Sequence, residues 1–267
     1  PARAGRRNVS STLSALRRYG RPPIVEPMCG RYVTPDKEAV LLRWPKIRCD
    51  VQTTWQPGTN VAPTRTVPIL IQAPDGGLAV QAARWGFIPP WWSKPKPPGL
   101  TFNARVEEAA TKPMWCDGFR GQRCLLPARG WYEWNNAERI LDPAGRDTGQ
   151  PYFIYQPAEP IMVIAGLWSV RADTGQPSYT SAMLTRAAVP DIAFIHPRMP
   201  VVLPMESIAE WLDPATPATR VNEILAMPGA GFAAHPVSPR VNQVRNEGAD
   251  LMQKVQTPPA SLFGPDD

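Results

Sequence analysis

The sequence is poor in the residues from which metal and redox sites are built. Only two histidines occur, His196 and His235, and the four cysteines, Cys29, Cys49, Cys116 and Cys124, form no C-x-x-C pair. The familiar zinc-site spacings are missing, so no metal is expected. No apolar run approaches the roughly 18 residues that a membrane span needs, and no leader with an apolar core marks a secreted chain. These absences predict a cytoplasmic protein with reduced thiols and no membrane partner. There is also no G-x-x-x-x-G-K-S/T loop and no G-x-G-x-x-G after a strand pattern. Nucleotide hydrolysis and dinucleotide redox chemistry therefore lack support, and no cofactor is expected.

What is present starts with length. A chain of 267 residues can bury a proper core without covalent staples. Its net charge of +6 suggests a polyanionic partner only if the charge is spread over the fold, and it is not. Residues 1–27 carry six arginines and one acid, which leaves a balance of only +1 from Met28 onward. Any nucleic-acid binding by the body must rest on a local cluster of positive groups. The first 27 residues, rich in arginine and serine, read as a disordered basic extension: a start placed too far upstream, a removable leader or a transit peptide.

From Met28 the punctuation becomes regular. Thr34-Pro35-Asp36 supplies an expected N-cap at Thr34, a proline in the first turn and an acid, followed by Val40, Leu41 and Trp44 on one helical face. Short apolar or β-branched runs follow at 67–72, 78–84, 123–126, 131–134, 152–156, 161–167, 179–185 and 200–203, bounded by proline, glycine and aspartate. Two late helices are predicted from Ile208, Trp211 and Leu212 and from Val221, Ile224 and Leu225, both with a buried-stripe spacing. Strands outnumber helices and do not alternate with them. The expected class is α+β: one compact β-rich domain over 28–255, a mainly antiparallel sheet or barrel-like core with a few peripheral helices, and a disordered tail over 256–267.

Met28-Cys29 opens the run Met28-Cys29-Gly30-Arg31-Tyr32. If the chain is processed or begins there, Cys29 presents an amine and a thiol on adjacent carbons, and an aldehyde can be trapped as a five-membered thiazolidine. The α-amine, with a pKa of about 7.7 to 8.0, keeps a useful neutral fraction at physiological pH. The alternative is that both are ordinary chain residues.

Three further segments concentrate reactive side chains: Asn103-Ala104-Arg105-Val106-Glu107, Gly130-Trp131-Tyr132-Glu133-Trp134 and His196-Pro197-Arg198-Met199-Pro200. Glu133 sits among aromatics, where burial would disfavour its charged form and suit it to proton transfer, unless it lies on the exposed face of an edge strand. His196 is either a proton carrier or a structural histidine. Cys29, Glu133 and His196 serve two chemistries equally well by type. One is aldehyde capture with Asn103 bonding the adduct; the other is a thiol peptidase cutting the Met28-Cys29 bond. Arg105 and Arg198 suit phosphates, and Trp91-Trp92 beside Lys94 and Lys96 offers stacking next to positive charge, a mixture fit for single-stranded nucleic acid. A non-covalent single-stranded DNA module stays open on these residues.

In this order the segments MCGRY (28–32), TNVAPT (59–64), RWGFIPPWW (84–92), NARVEEAATKPMW (103–115), RCLLPARGWYEW (123–134), AGLW (165–168), HPRMPVVLP (196–204) and HPVSPRVN (235–242) resemble the SRAP family, the SOS response-associated peptidase domain whose members trap abasic sites in single-stranded DNA. The resemblance implies that Cys29, once its amine is free, forms a thiazolidine with the ring-opened deoxyribose and shields the lesion. It implies that Asn103 positions the sugar and that Glu133 and His196 assist proton transfer. Arg31, Asn60, Pro63, Arg105 and Arg198 are then DNA-binding residues, with Trp91 and Trp92 stacking near the lesion. It further implies self-removal of the residues before the cysteine in some members, lyase-like handling of the site, and a monomer acting at the nucleoid. With 28 residues attached, the Cys29 nitrogen is an amide and cannot form the ring.

Overall fold

The computed structural model describes residues 29–49, 53–94, 97, 99–171 and 177–256. The basic extension expected over 1–27, Met28, Lys96 and all but the first residue of the expected tail lie outside them. In chain order the elements are β1 (Tyr32–Val33), α1 (Lys37–Arg43), β2 (Arg48–Cys49), β3 (Thr66–Gln72), β4 (Leu78–Trp85), β5 (Asn103–Arg105), α2 (Val106–Ala109), α3 (Cys116–Gly121), β6 (Arg123–Ala128), β7 (Gly130–Leu141) and β8 (Asp147–Tyr155). They continue with β9 (Met162–Arg171), β10 (Ser178–Ala187), α4 (Pro190–Ala193), β11 (Arg198–Pro200), β12 (Val202–Leu203), α5 (Ile208–Leu212), α6 (Ala218–Ala226) and β13 (Ala233–Pro236). The class is α+β with strands dominant, as the sequence pattern predicts.

Five strands close on themselves. β4 pairs with β3, β3 with β6, β6 with β9 and β9 with β10, all antiparallel, and β10 returns to β4 in parallel. Closure removes the exposed edges of this ring. β2, β5, β11 and β12 add to its rims, and a separate four-stranded sheet runs β1-β7-β8-β13.

Alternation along the ring strands divides them between two cores. Leu125, Val163, Ala165, Leu167, Ala182 and Leu184 pack with the helical residues Phe119, Trp211 and Ile224. Their neighbours Cys124, Leu126, Ile164 and Met183 pack with Trp131, Tyr152 and Ile154 of the second sheet. With both faces covered, these strands can be continuously apolar instead of alternating, which is why the 161–167 run lacks polar interruptions. The second sheet also requires a bare position: a Cβ on Gly130 would stand 2.6 Å from the Ile154 carbonyl and against the Phe153 ring.

Two local expectations change. The N-cap of α1 is Asp36, whose carboxylate accepts the Ala39 N–H at 2.7 Å, while the Thr34 hydroxyl accepts the Gly58 N–H at 2.9 Å. Thr34 is spent on the neighbouring loop, and the helix starts two residues late. The 200–203 run is two strands. Val201 donates to Leu184 of β10 and its carbonyl accepts from Ala165 of β9, so the chain changes partner there. The late helices bury the expected stripes but for Ile208, which is half-buried: Trp211, Leu212, Val221, Ile224 and Leu225 are all buried.

Candidate active site

β7 lies between β1 and β8, so Glu133 is in the interior of its sheet instead of at an edge, and it is 3% exposed. Its Oε1 accepts the backbone N–H of Cys29 at 2.8 Å. The short β1 makes this possible: Tyr32 pairs with Trp131 and Val33 with Gly130, which brings the residues just before β1 alongside the strand that carries Glu133. Cys29 is 1% exposed and takes a left-handed φ of 49°, an uncommon conformation for a residue with a Cβ.

Burial first, then the charge of Glu133 and a hydrogen bond to it, hold the Cys29 thiol well above its ordinary pKa near 9.0, and the positive charge of Arg198 pulls the other way. The thiol is therefore neutral at physiological pH. Arg198 is itself locked. Its Nη1 and Nη2 donate to Glu107 Oε1 at 2.5 Å and Oε2 at 3.0 Å, and Nη2 also donates to the Thr185 carbonyl at 2.7 Å. The hydrogen bonds from Arg198, helped by its charge, hold the Glu107 carboxyl below its usual range. His196 is tied to the same residue: Nδ1 lies 3.1 Å from both the backbone N–H and the carbonyl of Arg198.

The remaining candidates fall into three places. Asn103 stands half-buried at the head of β5 opposite Met183, and Arg105 is exposed opposite Thr185. Trp91 is exposed and Trp92 half-buried, their rings meeting edge-on at 5.9 Å with Lys94 Nζ 5.6 Å from the Trp92 ring. Arg31 and Asn60 form a knot of their own. Arg31 donates to Asn60 Oδ1 at 3.1 Å and to the Val241 carbonyl at 2.8 Å, while Asn60 Nδ2 reaches the carbonyls of Val241, Gln243 and Asn246. Asn60 is 1% exposed, so its amide organises the 241–246 loop; burial also lowers the Arg31 pKa. Pro63 is half-buried in the turn that carries Thr64 at φ 78° into β3.

Local pattern gave little notice of the partners of Arg198. Glu107 lies within the NARVE run, two residues past Arg105, yet only the pairing of both β5 and β11 with β10 puts it on Arg198. Thr185 carries no sequence signal at all. Next to the cysteine, Gly30 and Arg31 join Trp134, Asp142, Arg146, Thr148 and Asn242 around a cleft of about 370 Å3.

A family model of the SOS response associated peptidase, SRAP, matches residues 28–244. The chain belongs to the SRAP family. Among SRAP relatives, the abasic site processing protein YedK of Escherichia coli K12 is 33% identical over 85% of this chain and all of its own length. The abasic site processing protein HMCES of Gallus gallus is 30% identical over 76% of this chain and 67% of its own. Two solved structures share the fold of this chain. A protein from Bacteroides thetaiotaomicron matches with a TM-score of 0.69 at 22% identity, covering 85% of this chain and 100% of its own. A phage-related protein from Bordetella bronchiseptica matches with a TM-score of 0.58 at 30% identity, covering 78% and 94%.

Proposed function

We propose that this protein recognises abasic sites in single-stranded DNA and captures their aldehyde covalently through Cys29. The observation that carries the reading is the Cys29 N–H held on Glu133 Oε1 at 2.8 Å, in an SRAP chain whose relatives are named abasic site processing proteins. When Cys29 is N-terminal, the same nitrogen is an α-amine and the same carboxylate is its proton acceptor. The amine adds to the C1′ aldehyde of the ring-opened sugar and water leaves, giving an imine. The thiol then adds across the C=N bond, sulfur to carbon and proton to nitrogen, which closes the thiazolidine without any oxidant. A thiol that stays protonated until this step suits a pathway in which the amine reacts first.

The same hydrogen bond favours self-processing as a second use of the site. In hydrolysis of the Met28-Cys29 bond, water adds to the Met28 carbonyl carbon as the Glu133 carboxylate takes one of its protons, and that proton passes to the Cys29 nitrogen as the C–N bond breaks. Cleavage also abolishes the φ constraint on Cys29, since an N-terminal residue has none; such constraints cost about 1–3 kcal/mol. Asn103 positions the sugar, His196 assists proton transfer, Arg31 and Arg105 with Trp91 and Trp92 supply the positive and aromatic surface for the strand, and Arg198 joins it where a phosphate displaces Glu107. On this reading the protein works as a monomer on chromosomal DNA at the nucleoid.

The test mixes abasic single-stranded DNA with two preparations, one beginning at Cys29 and one spanning 1–267, and follows intact mass and denaturing-gel mobility. A covalent product from the first alone establishes the free-amine requirement. A product from both, with the preceding residues lost, adds self-processing. No covalent product from either overturns the reading.

A further inference from the structure

Among the described residues, two aromatic side chains are more than half exposed: Trp91 at 53% and Phe194 at 56%. The tryptophan belongs to the DNA surface proposed above. Phe194 has no part in that scheme, yet its position is closely defined.

The segment that carries it is pinned on both sides. Ile192 and Ile195 are buried, the Ile195 N–H donates to the Ile192 carbonyl at 3.0 Å, and the Ala188 N–H donates to Pro197 at 2.9 Å. Phe194, two positions before His196, is left outside with Ala193. Its ring meets Tyr152 edge-to-face, with centroids 5.6 Å apart at 90°. The Tyr152 hydroxyl is fixed in turn on Glu138 Oε2 at 2.8 Å. Tyr152 is the direct cross-strand partner of Glu133, and such partners project from the same face of a sheet. A continuous line of neighbours therefore runs from Cys29 through Glu133 and Tyr152 to the open ring of Phe194.

β10 relates this ring to the other platform. Trp91 follows Ile88, whose N–H is held by the Thr180 hydroxyl at 3.0 Å near the start of β10. Phe194 follows the far end of that strand, where Ala187 pairs with Arg198. About 20 Å of strand separates Thr180 from Ala187. Asn103 and Arg105 pair with Met183 and Thr185 along this stretch. The two exposed rings thus bracket the side chains assigned to the sugar and the phosphates.

We propose that Phe194 is a second stacking platform of the site and takes the unpaired nucleobase beside the abasic nucleotide. The inference rests on the proposed function. A phenyl face accepts any base, so the platform confers affinity and places the lesion against Glu133 without reading sequence. Being held by its buried neighbours, the ring loses little freedom when a base stacks on it.

The experiment measures non-covalent binding of the full chain to labelled single strands that carry tetrahydrofuran, an abasic analogue with no aldehyde to capture. Phe194→Ala is expected to bind about tenfold more weakly, the usual loss of one stacked base. Phe194→Trp should restore affinity and Phe194→Leu should not. On a strand in which a second tetrahydrofuran removes the neighbouring base on one particular side, wild type and Phe194→Ala should bind equally. Equal affinity of wild type and Phe194→Ala on the first strand overturns the inference, as does rescue by leucine or a loss that persists when both flanking bases are absent. The side chain is more than half exposed, so these variants keep the fold, and equal melting temperatures check it. Crosslinking of the preparation that begins at Cys29 to a natural abasic site, run in parallel, tests the parent reading separately: its absence sinks that reading, while the Phe194 comparison is read on non-covalent binding alone.

Discussion

Glu107 occupies the guanidinium fork of Arg198, with one carboxylate oxygen on each terminal nitrogen at 2.5 and 3.0 Å. This is the geometry in which arginine grips a phosphate. A DNA phosphate that reaches Arg198 therefore meets a donor set already filled by an internal anion, whereas Arg105 on β5, which like β11 pairs with β10, is exposed. The carboxylate also tempers the positive charge that Arg198 directs at the Cys29 thiol.

Replacing Glu107 by Gln should accordingly strengthen binding of single-stranded DNA. The pair is partly exposed, with side chains 16% and 52% accessible, so solvent screening limits the gain to a few-fold. Freeing one phosphate contact should steepen the slope of log affinity against log salt by about 0.7. Fluorescence anisotropy across a salt series checks both; an unchanged slope would mean that Arg198 stays bound to Thr185.

Cys29→Ala should abolish covalent capture, and Glu133→Gln should slow it by about a hundredfold while leaving strand affinity nearly intact, the signature of lost proton transfer. Single-turnover crosslinking beside equilibrium binding separates the two. Equal losses in rate and affinity would instead assign Glu133 to structure.

Stability should fall on the alkaline side. Burial raises the Cys29 and Cys124 thiols well above their ordinary value. Between the ordinary value near 9.0, where an unfolded thiol titrates, and the higher folded values, the unfolded chain has lost these protons while the folded chain keeps them. The folded state then loses up to about 1.4 kcal/mol per pH unit per thiol. Urea unfolding at pH 7 and pH 10 measures the loss, and Cys124→Ala should remove its share of the slope.

Asn60→Ala should destabilise the fold by about 2–3 kcal/mol, because it strips a partner from the half-buried Arg31 and a donor from three loop carbonyls. Thermal melting should show the loss while the protein that remains folded binds DNA with little change. A large fall in affinity at constant stability would return Asn60 to the DNA surface.

Features under local control were legible along the chain. The apolar runs at 123–126 and 161–167 marked the strands of the ring. The spacing of Trp211, Leu212, Val221, Ile224 and Leu225 marked buried helical stripes, and the ordered MCGRY, GWYEW and HPRMP segments marked the family. Periodicity, turn residues and motif order are properties of neighbouring positions. The tertiary structure decided which distant groups meet. Glu133 reaches the Cys29 nitrogen across 104 positions because the register of β1 on β7 aligns them, and one residue of slip would point the carboxylate to the opposite face. The same holds for Glu107 and Thr185 on Arg198, for Asn60 under the 241–246 loop, and for Phe194 beside Tyr152. A carboxylate or an aromatic ring satisfies any suitable partner within a few ångströms. Its chemistry is written in the sequence, but its partner is set only when ring closure and strand register fix every side chain in space.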